Sequence, residues 1–201
     1  MTQLVSLAVQ RTASAKQVTL TGEVTITAPP ALAAALIAPR LSDLRERYPA
    51  LQIRLDGDTR NVSLVRREAD VAIRLSRPDD AELVVRKLST VTFSLYGSPA
   101  YLASYGEDVR AYIGYDSSMD DTPQQTWLLA QSGAAPIVLR SNDLAIQAAA
   151  VAAGVGIGVL PDFIGGRAER MIRLPNTGAA LERDVWIAVH SDYATRHASR
   201  Q

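Results

Sequence analysis

Arg74 is the residue of this sequence whose type and position best suit the binding of a charged small molecule. It lies near the end of Asp70-Val71-Ala72-Ile73-Arg74-Leu75, which the pattern predicts to be a strand. A guanidinium can hold a carboxylate with two parallel hydrogen bonds, so Arg74 is a candidate for binding an acidic ligand. A surface arginine paired with Asp70 or Asp79 is an equally open interpretation.

Two predicted helix starts offer backbone donors. One is Pro29-Pro30-Ala31-Leu32, directly after a predicted strand over residues 23–28, and the other is Ser141-Asn142-Asp143, where Ser141 is the expected N-cap. Ligands of open α/β sheets bind beyond the carboxyl ends of strands, and free amides at a helix start suit an anion. Ordinary caps without a ligand are equally compatible with both starts.

The sequence carries little that points to an enzyme. His190 and His197 have no companion that would make a catalytic dyad, and the paired acids Asp79-Asp80 and Asp120-Asp121 have no histidine at metal-ligand spacing. Val159 stands where the third glycine of a dinucleotide-binding fingerprint would be, after Gly154-x-Gly156-x-Gly158. We therefore predict no catalytic residue, no metal and no cofactor.

The elements around these residues alternate between strand and helix. The pattern predicts strands at 23–28, 51–55 and 70–75, with helices at 29–48 and 61–67 between them. The first helix has an apolar face formed by Leu32, Leu36, Ile37, Leu41 and Leu44. Such units form parallel strands with right-handed crossovers. Further along, we predict strands at 82–88, 91–96 and 183–190, an exposed loop at 116–126, a short strand or turn at 127–130 and a helix at 142–153.

Composition limits the classes of function. The 201 residues are 47% hydrophobic and carry 21 positive and 21 negative side chains, without the basic excess that a free-standing nucleic-acid binder usually has. The absence of cysteine fits a reducing compartment. No apolar run is long enough to span a membrane, and no basic residue precedes the interrupted apolar stretch at 4–9, so we do not predict a secretory signal.

Three stretches together resemble the effector-binding domain of LysR-type transcription regulators. They are Gly22-Glu-Val-Thr-Ile-Thr-Ala-Pro with the helix ending at Tyr48-Pro49, then Asn61 to Arg74 with Ser94-Leu-Tyr-Gly-Ser-Pro-Ala-Tyr-Leu102, and then Ala153-Gly-Val-Gly-Ile-Gly-Val-Leu-Pro161. Their order over residues 22–190 carries the resemblance. It departs from the family pattern at both ends. About twenty residues precede Gly22, too few for a winged helix-turn-helix, and the expected C-terminal helix is cut short at Gln201. A truncated reading frame, or a piece cut from a longer regulator, would explain this.

The resemblance implies an α/β fold similar to type-2 periplasmic binding proteins. In that fold two lobes, each a mostly parallel sheet flanked by helices, are joined by two crossover segments. The implied boundaries are a linker-helix remnant at 1–21, lobe I at 22–96 and 183–201, and lobe II at 97–182.

The resemblance also implies a function, in which a small organic effector, a carboxylate or an aromatic acid, binds in the interlobe cleft of a cytoplasmic homodimer. The helix face formed by Ala33, Ala34, Ala35 and Ala38 could support the two-fold contact, and DNA would be bound only through the missing N-terminal head. The expected effector-binding residues are Pro30, Ala31, Leu32, Thr59, Arg60, Asn61, Arg74, Ser76, Ser94, Tyr96, Tyr115, Asp116, Ser117, Ser141 and Asn142. Two alternatives stay open: an exported solute-binding protein of a transporter, and an enzyme on the same scaffold.

Overall fold

The computed structural model describes residues 21–58 and 69–191. Its strands are β1 (Gly22–Ala28), β2 (Leu51–Gly57), β3 (Val71–Arg74), β4 (Leu83–Gly97), β5 (Tyr112–Gly114), β6 (Ile137–Arg140), β7 (Ile157–Pro161), β8 (Ile172–Leu174) and β9 (Leu181–His190). Its α-helices are α1 (Pro30–Leu32), α2 (Leu41–Arg47), α3 (Pro99–Ser104), α4 (Pro123–Ser132), α5 (Leu144–Ala152) and α6 (Asp162–Gly165). The predicted linker-helix remnant, the helix at 61–67 and the tail after Ser191 lie outside the described residues.

The chain forms two compact units. Unit 1 comprises the described residues up to Thr90 together with those from Asp184 onward, and unit 2 comprises Val91–Arg183. The strands β4 and β9 each pass from one unit to the other. Hydrogen bonds follow the order β2-β1-β3-β9-β4-β7-β5-β6, with β8 on β4. The α/β class predicted from the sequence is confirmed.

Unit 1 is built on parallel strands. β1 pairs in parallel with β2 over its whole length, from Gly22 opposite Leu51 to Ala28 opposite Gly57, and in parallel with β3 on its other side. β9 runs antiparallel to β3. Because β1 and β2 end opposite one another, the polar backbone that follows them lies along one edge of the sheet.

The helical segment from Pro30 to Arg47 is less regular than the sequence predicts. A π-helical turn (Ala33–Ile37) and a 3-10 turn (Ala38–Arg40) separate α1 from α2. The physical reason is Pro39, which has no N–H for the helical ladder. In this irregular stretch the guanidinium of Arg40 donates to the Leu36 carbonyl at 2.7 Å. The predicted apolar face is nevertheless inward, with Leu32, Ile37 and Leu44 buried.

Unit 2 has its own core. β5 pairs in parallel with β6 and β7, while β4 runs antiparallel to β7 and carries β8. The buried core cluster consists of Tyr96, Ile113, Val151, Leu160 and Met171. After α5 the chain turns at Gly154, whose φ of +81° is the left-handed conformation that glycine adopts without strain.

Three predicted element assignments differ from the structure. Residues 82–88 and 91–96 belong to the single strand β4, because Ser89 and Thr90 continue the extended backbone and Thr90 donates to Asp184 of β9 at 3.1 Å. The strand or turn predicted at 127–130 is also wrong, and the loop predicted at 116–126 extends only to Thr122, since α4 begins at Pro123 with Thr122 as its N-cap. Its buried inward positions include Gln124 and Gln125, so apolar periodicity does not reveal this helix.

Candidate functional site

The carboxyl ends of the three parallel strands in unit 1 meet at one edge, which we call the unit 1 edge. It consists of the residues at and directly after Ala28, Gly57 and Arg74. The amide of Asp58 donates to the Ala28 carbonyl at 3.0 Å, which ties the end of β2 to the end of β1. A Cβ added to Gly57 would meet Pro30 at 3.5 Å, so the helix start packs directly beside the end of β2.

Arg74 is a buried arginine at this edge, with 7% of its surface exposed. Its Nη1 donates to the carbonyl of Thr27 at 3.0 Å and to that of Ile73 at 2.8 Å, and its Nη2 donates to the Thr27 hydroxyl at 3.2 Å. These are neutral acceptors, which solvate a buried guanidinium without cancelling its charge.

The electrostatics of Arg74 follow from that burial. Loss of solvation lowers the pKa of Arg74, and the nearby charge of Asp58 opposes this shift. The sequence left open that Arg74 is a surface arginine paired with Asp70 or Asp79, and the structure contradicts this. Asp70 instead accepts a hydrogen bond from the Thr25 amide at 2.8 Å, and the hydrogen bonds of the Arg74 side chain go to Thr27 and Ile73.

The other residues predicted for this part of the site differ in exposure. Pro30 is exposed, Ala31 is half-buried and the Leu32 side chain lies in the core. No side chain caps the first turn of α1, and the first amides of a helix have no acceptor within it. Ser76 is exposed two residues beyond β3. The remaining three, Thr59, Arg60 and Asn61, lie outside the described residues.

In unit 2 the corresponding edge, the unit 2 edge, consists of the residues that follow β5 and β6. Tyr115 is its most buried member, with 2% exposed. Its amide donates to Oε1 of Gln125 at 2.9 Å, and its carbonyl accepts from Nη1 of Arg140 at 3.0 Å. Burial raises the pKa of the Tyr115 phenol, and the charge of Arg183 opposes the shift.

The expected N-cap at Ser141 is wrong, because Asp143 caps α5. The Asp143 carboxylate accepts from the amides of Ala145 at 2.6 Å and Ile146 at 3.3 Å. Ser141 supports this cap by accepting from the Asp143 amide at 3.1 Å. The amides of Asp143, Ala145 and Ile146 at this helix start thus donate to the protein's own side chains. Asn142 is exposed.

The turn after Tyr115 is fixed locally. Oδ1 of Asp116 accepts from the Ser118 amide at 2.9 Å, and Ser117 is exposed at the start of the 3-10 turn Ser117–Met119. Asp116 therefore acts as a cap in this structure.

Ser94 and Tyr96 lie inside unit 2. The Ser94 hydroxyl is buried and has no hydrogen-bond partner within the described residues. Tyr96 belongs to the core cluster, and its phenol donates to Oδ1 of Asp162 at 2.9 Å. Burial and then this hydrogen bond raise the pKa of Tyr96 to about 12.

A comparison with protein families matches this architecture to the LysR substrate binding domain over residues 18–201. The chain belongs to this family. As a LysR substrate-binding domain, it has relatives among named transcription regulators. It is 30% identical over 167 residues to a helix-turn-helix-type regulator of Haemophilus influenzae, covering 74% of this chain and 55% of that protein. It is 41% identical over 71 residues to a helix-turn-helix-type transcriptional repressor of Pseudomonas aeruginosa, covering 35% of this chain and 22% of that protein.

Solved structures of LysR-type regulators share the fold of this LysR domain. The regulatory domain of CrgA from Neisseria meningitidis superposes with a TM-score of 0.72 at 24% identity, covering 87% of this chain and 92% of that one. A longer CrgA structure superposes with a TM-score of 0.77 at 21% identity, covering 96% of this chain and 70% of that one. The chain thus spans about half or less of its curated relatives but nearly all of a regulatory domain. Those relatives are transcription regulators, and the family is not an enzyme family.

Sequence reasoning missed four polar residues of this LysR domain that lie on the helices after the unit 2 edge and in β9. They are Gln124, Gln125, Gln147 and Arg183. Gln147, 1% exposed, donates from Nε2 to the Ser141 carbonyl at 2.7 Å, and Nη1 of Arg183 donates to Oε1 of Gln124. Burial lowers the pKa of Arg183, and the Tyr115 phenol opposes the shift. The run Thr122-Pro123-Gln124-Gln125 has the residue types of a capped helix start, a signal that could have located α4.

Within residues 21–58 and 69–191, no cluster of three or more histidine or acidic side chains could hold a metal ion. In the same residues, no helix combines the length and the apolar character that crossing a bilayer requires.

Proposed function

We propose that this domain senses a small organic acid, whose carboxylate is received at the unit 1 edge by Arg74. The observation that carries the proposal is Arg74, a residue with 7% exposure at the carboxyl ends of three strands, whose guanidinium donates to neutral acceptors of Thr27 and Ile73. Burying a charge is costly unless an opposite charge compensates it. The nearby charge of Asp58 supplies part of this compensation. A ligand carboxylate would add to it and would gain charge-assisted hydrogen bonds.

The start of the helical segment supports the same assignment. Pro30 lies beside Gly57, and the first turn of α1 has no side-chain cap. Pro29 and Pro30 have no N–H, so the donors at this start are the amides of Ala31 and Leu32. These amides and the guanidinium would favour a negative group at this edge. The proposal also keeps the other predicted residues as candidates, with Ser117 and Asn142 the exposed ones of the unit 2 edge.

We propose further that effector binding regulates transcription in a cytoplasmic homodimer. The effector must bind one arrangement of the domain better than another for a signal to be transmitted. Ala34 and Ala38 on the exposed side of the helical segment offer a smooth surface for a second copy. We assign DNA contact to a helix-turn-helix region of a longer protein. The family match and the named relatives favour a regulator over a transporter's solute-binding protein.

The test is a thermal-shift and calorimetric panel of small acids with matched neutral amides, for example benzoate with benzamide and succinate with succinamide. We expect at least one carboxylate, and not its amide, to stabilise the domain. Arg74→Gln removes the charge while keeping an amide that can donate to Thr27. It should weaken binding by about tenfold to a hundredfold, the value of a lost charge-assisted hydrogen bond.

Arg54→Gln is the matched control, because Arg54 lies on β2 of the same unit with 63% of its side chain exposed and pairs with Asp56. It should leave binding unchanged. Equal stabilisation by acid and amide, or equal affinities of Arg74→Gln and Arg54→Gln, would contradict the assignment of Arg74.

A further inference from the structure

Side chains of helix α4 hydrogen-bond to residues 177–183, the segment that leads into and begins β9. Three of its side chains, Gln124, Trp127 and Gln131, are spaced by three and four residues and so share one face of the helix. All three hydrogen-bond to residues 177–183. We call this set of contacts the α4 strap.

The contacts of Gln131 are specific for a carboxamide. Its Nε2 donates to the Thr177 carbonyl at 2.8 Å, and its Oε1 accepts from the Thr177 amide at 2.8 Å and from the Thr177 hydroxyl at 3.1 Å. One turn earlier, the indole N–H of Trp127 donates to the Ala179 carbonyl at 3.0 Å. At the start of the helix, Gln124 accepts from Arg183 inside β9.

The residues that accept these hydrogen bonds are held by polar contacts and not by apolar burial. Residues 177–180 are exposed, and Gly178 between the two main contacts has a φ of +72°. A segment with exposed side chains gains little from burial, so its position depends on the polar contacts that hold its backbone.

A neighbouring face of the same helix packs on the end of β5. Oε1 of Gln125 accepts from the Tyr115 amide at 2.9 Å. A Cβ added to Gly114 would lie 3.2 Å from Leu128 and 3.3 Å from that Gln125 oxygen, so helix and strand end are in close contact. α4 therefore touches both the unit 2 edge and the returning segment.

We propose that Gln124, Trp127 and Gln131 are positioning residues that couple the end of β5 at Tyr115 to the segment entering β9. A displacement at the unit 2 edge moves α4, and the strap carries this movement to residues 177–183. The relevance of this coupling to signalling depends on the proposed function, in which Tyr115, Asp116 and Ser117 stay candidate effector-binding residues. The coupling itself is a property of the free domain and is measured without a ligand.

The test is amide hydrogen exchange by NMR, because the Thr177 and Tyr115 amides each donate to an α4 side chain. Gln131→Met should speed exchange at Thr177 on the order of tenfold, as expected for lost hydrogen bonds, and should also speed exchange at Tyr115 by several fold. Gln125→Met should speed exchange at Tyr115 on the order of tenfold and at Thr177 by several fold, because coupling between two sites is reciprocal. Thr126→Ala, on the exposed side of α4, should change neither amide.

If Gln131→Met speeds exchange at the Thr177 amide but leaves the exchange rate of the Tyr115 amide unchanged, the contact is local and uncoupled, and the proposal is overturned. An unchanged exchange rate at the Thr177 amide would show that the strap does not hold the segment, and this result would also overturn the proposal. If Gln131→Met does not fold, Trp127→Phe removes a single donor and gives the same comparison. A failed carboxylate panel leaves this result intact, so the two proposals fail separately.

Discussion

Gly165 is the position where the structure makes the sharpest prediction about stability. A Cβ at this residue would lie 2.4 Å from two ring carbons of Tyr96 and 2.6 Å from a third, closer than any real contact. The ring cannot move freely, because it belongs to the core cluster of unit 2 and its phenol donates a hydrogen bond to Asp162. Gly165→Ala should therefore force the ring out of its place.

The expected change in stability combines two costs and one gain. Overpacking a core by one methyl group costs about 1–3 kcal/mol, and losing the Tyr96–Asp162 hydrogen bond adds about 1 kcal/mol. Replacing a helical glycine with alanine returns up to about 1 kcal/mol of backbone entropy. The free energy of unfolding should thus fall by roughly 1–3 kcal/mol.

Urea denaturation followed by circular dichroism measures this change. Gly106→Ala is the control, because an added Cβ there meets nothing within 4 Å and its φ is −64°. It should be neutral or slightly stabilising. In a Tyr96→Leu background the smaller side chain leaves room, so adding Gly165→Ala should cost little more. A Gly165→Ala protein as stable as Gly106→Ala, or the same penalty with Leu at 96, would refute the packing argument.

Two further predictions concern the cap of α5 and the buried phenol. Asp143→Ala should lower the free energy of unfolding by about 1 kcal/mol, because two amides lose their acceptor, and Asp143→Asn should recover most of it; equal losses for both would contradict the cap. The folded-state pKa of Tyr96 is raised from 10.0 to about 12, so its contribution to stability is complete below pH 10 and is lost as the pH rises toward 12. Urea denaturation between pH 9 and 11.5 should show a shallower decline for Tyr96→Phe than for the parent, and parallel curves would contradict the assignment.

The sequence was sufficient to predict an element where the local pattern of apolar residues agrees with their burial. The alternation of Val24 and Ile26 predicts β1, and the apolar spacing of Leu32, Ile37 and Leu44 predicts the inward face of the helical segment. The short motifs distributed along the chain resemble a single family, and the family match confirms it. These features depend on neighbours a few residues apart, which the sequence displays directly.

The sequence misled where polar side chains serve as core. Gln124 and Gln125 made residues 116–126 look like a loop, although both are buried in α4. Ser141 resembled a cap because serine favours that position, whereas the Asp143 carboxylate reaches the helix amides. In each case the correct assignment depends on which acceptor a side chain reaches in three dimensions.

The sequence by itself determined the strands and helix of the first half of unit 1, the inward face of the helical segment and the family to which the domain belongs. Only the tertiary structure decided that Arg74 is buried against Thr27, 47 residues away, and that Gln124 holds Arg183 across 59 residues. The physical reason is that residue type and local spacing set hydrophobic periodicity, whereas the environment of a charge or an amide is set by groups that the folded chain brings from distant positions.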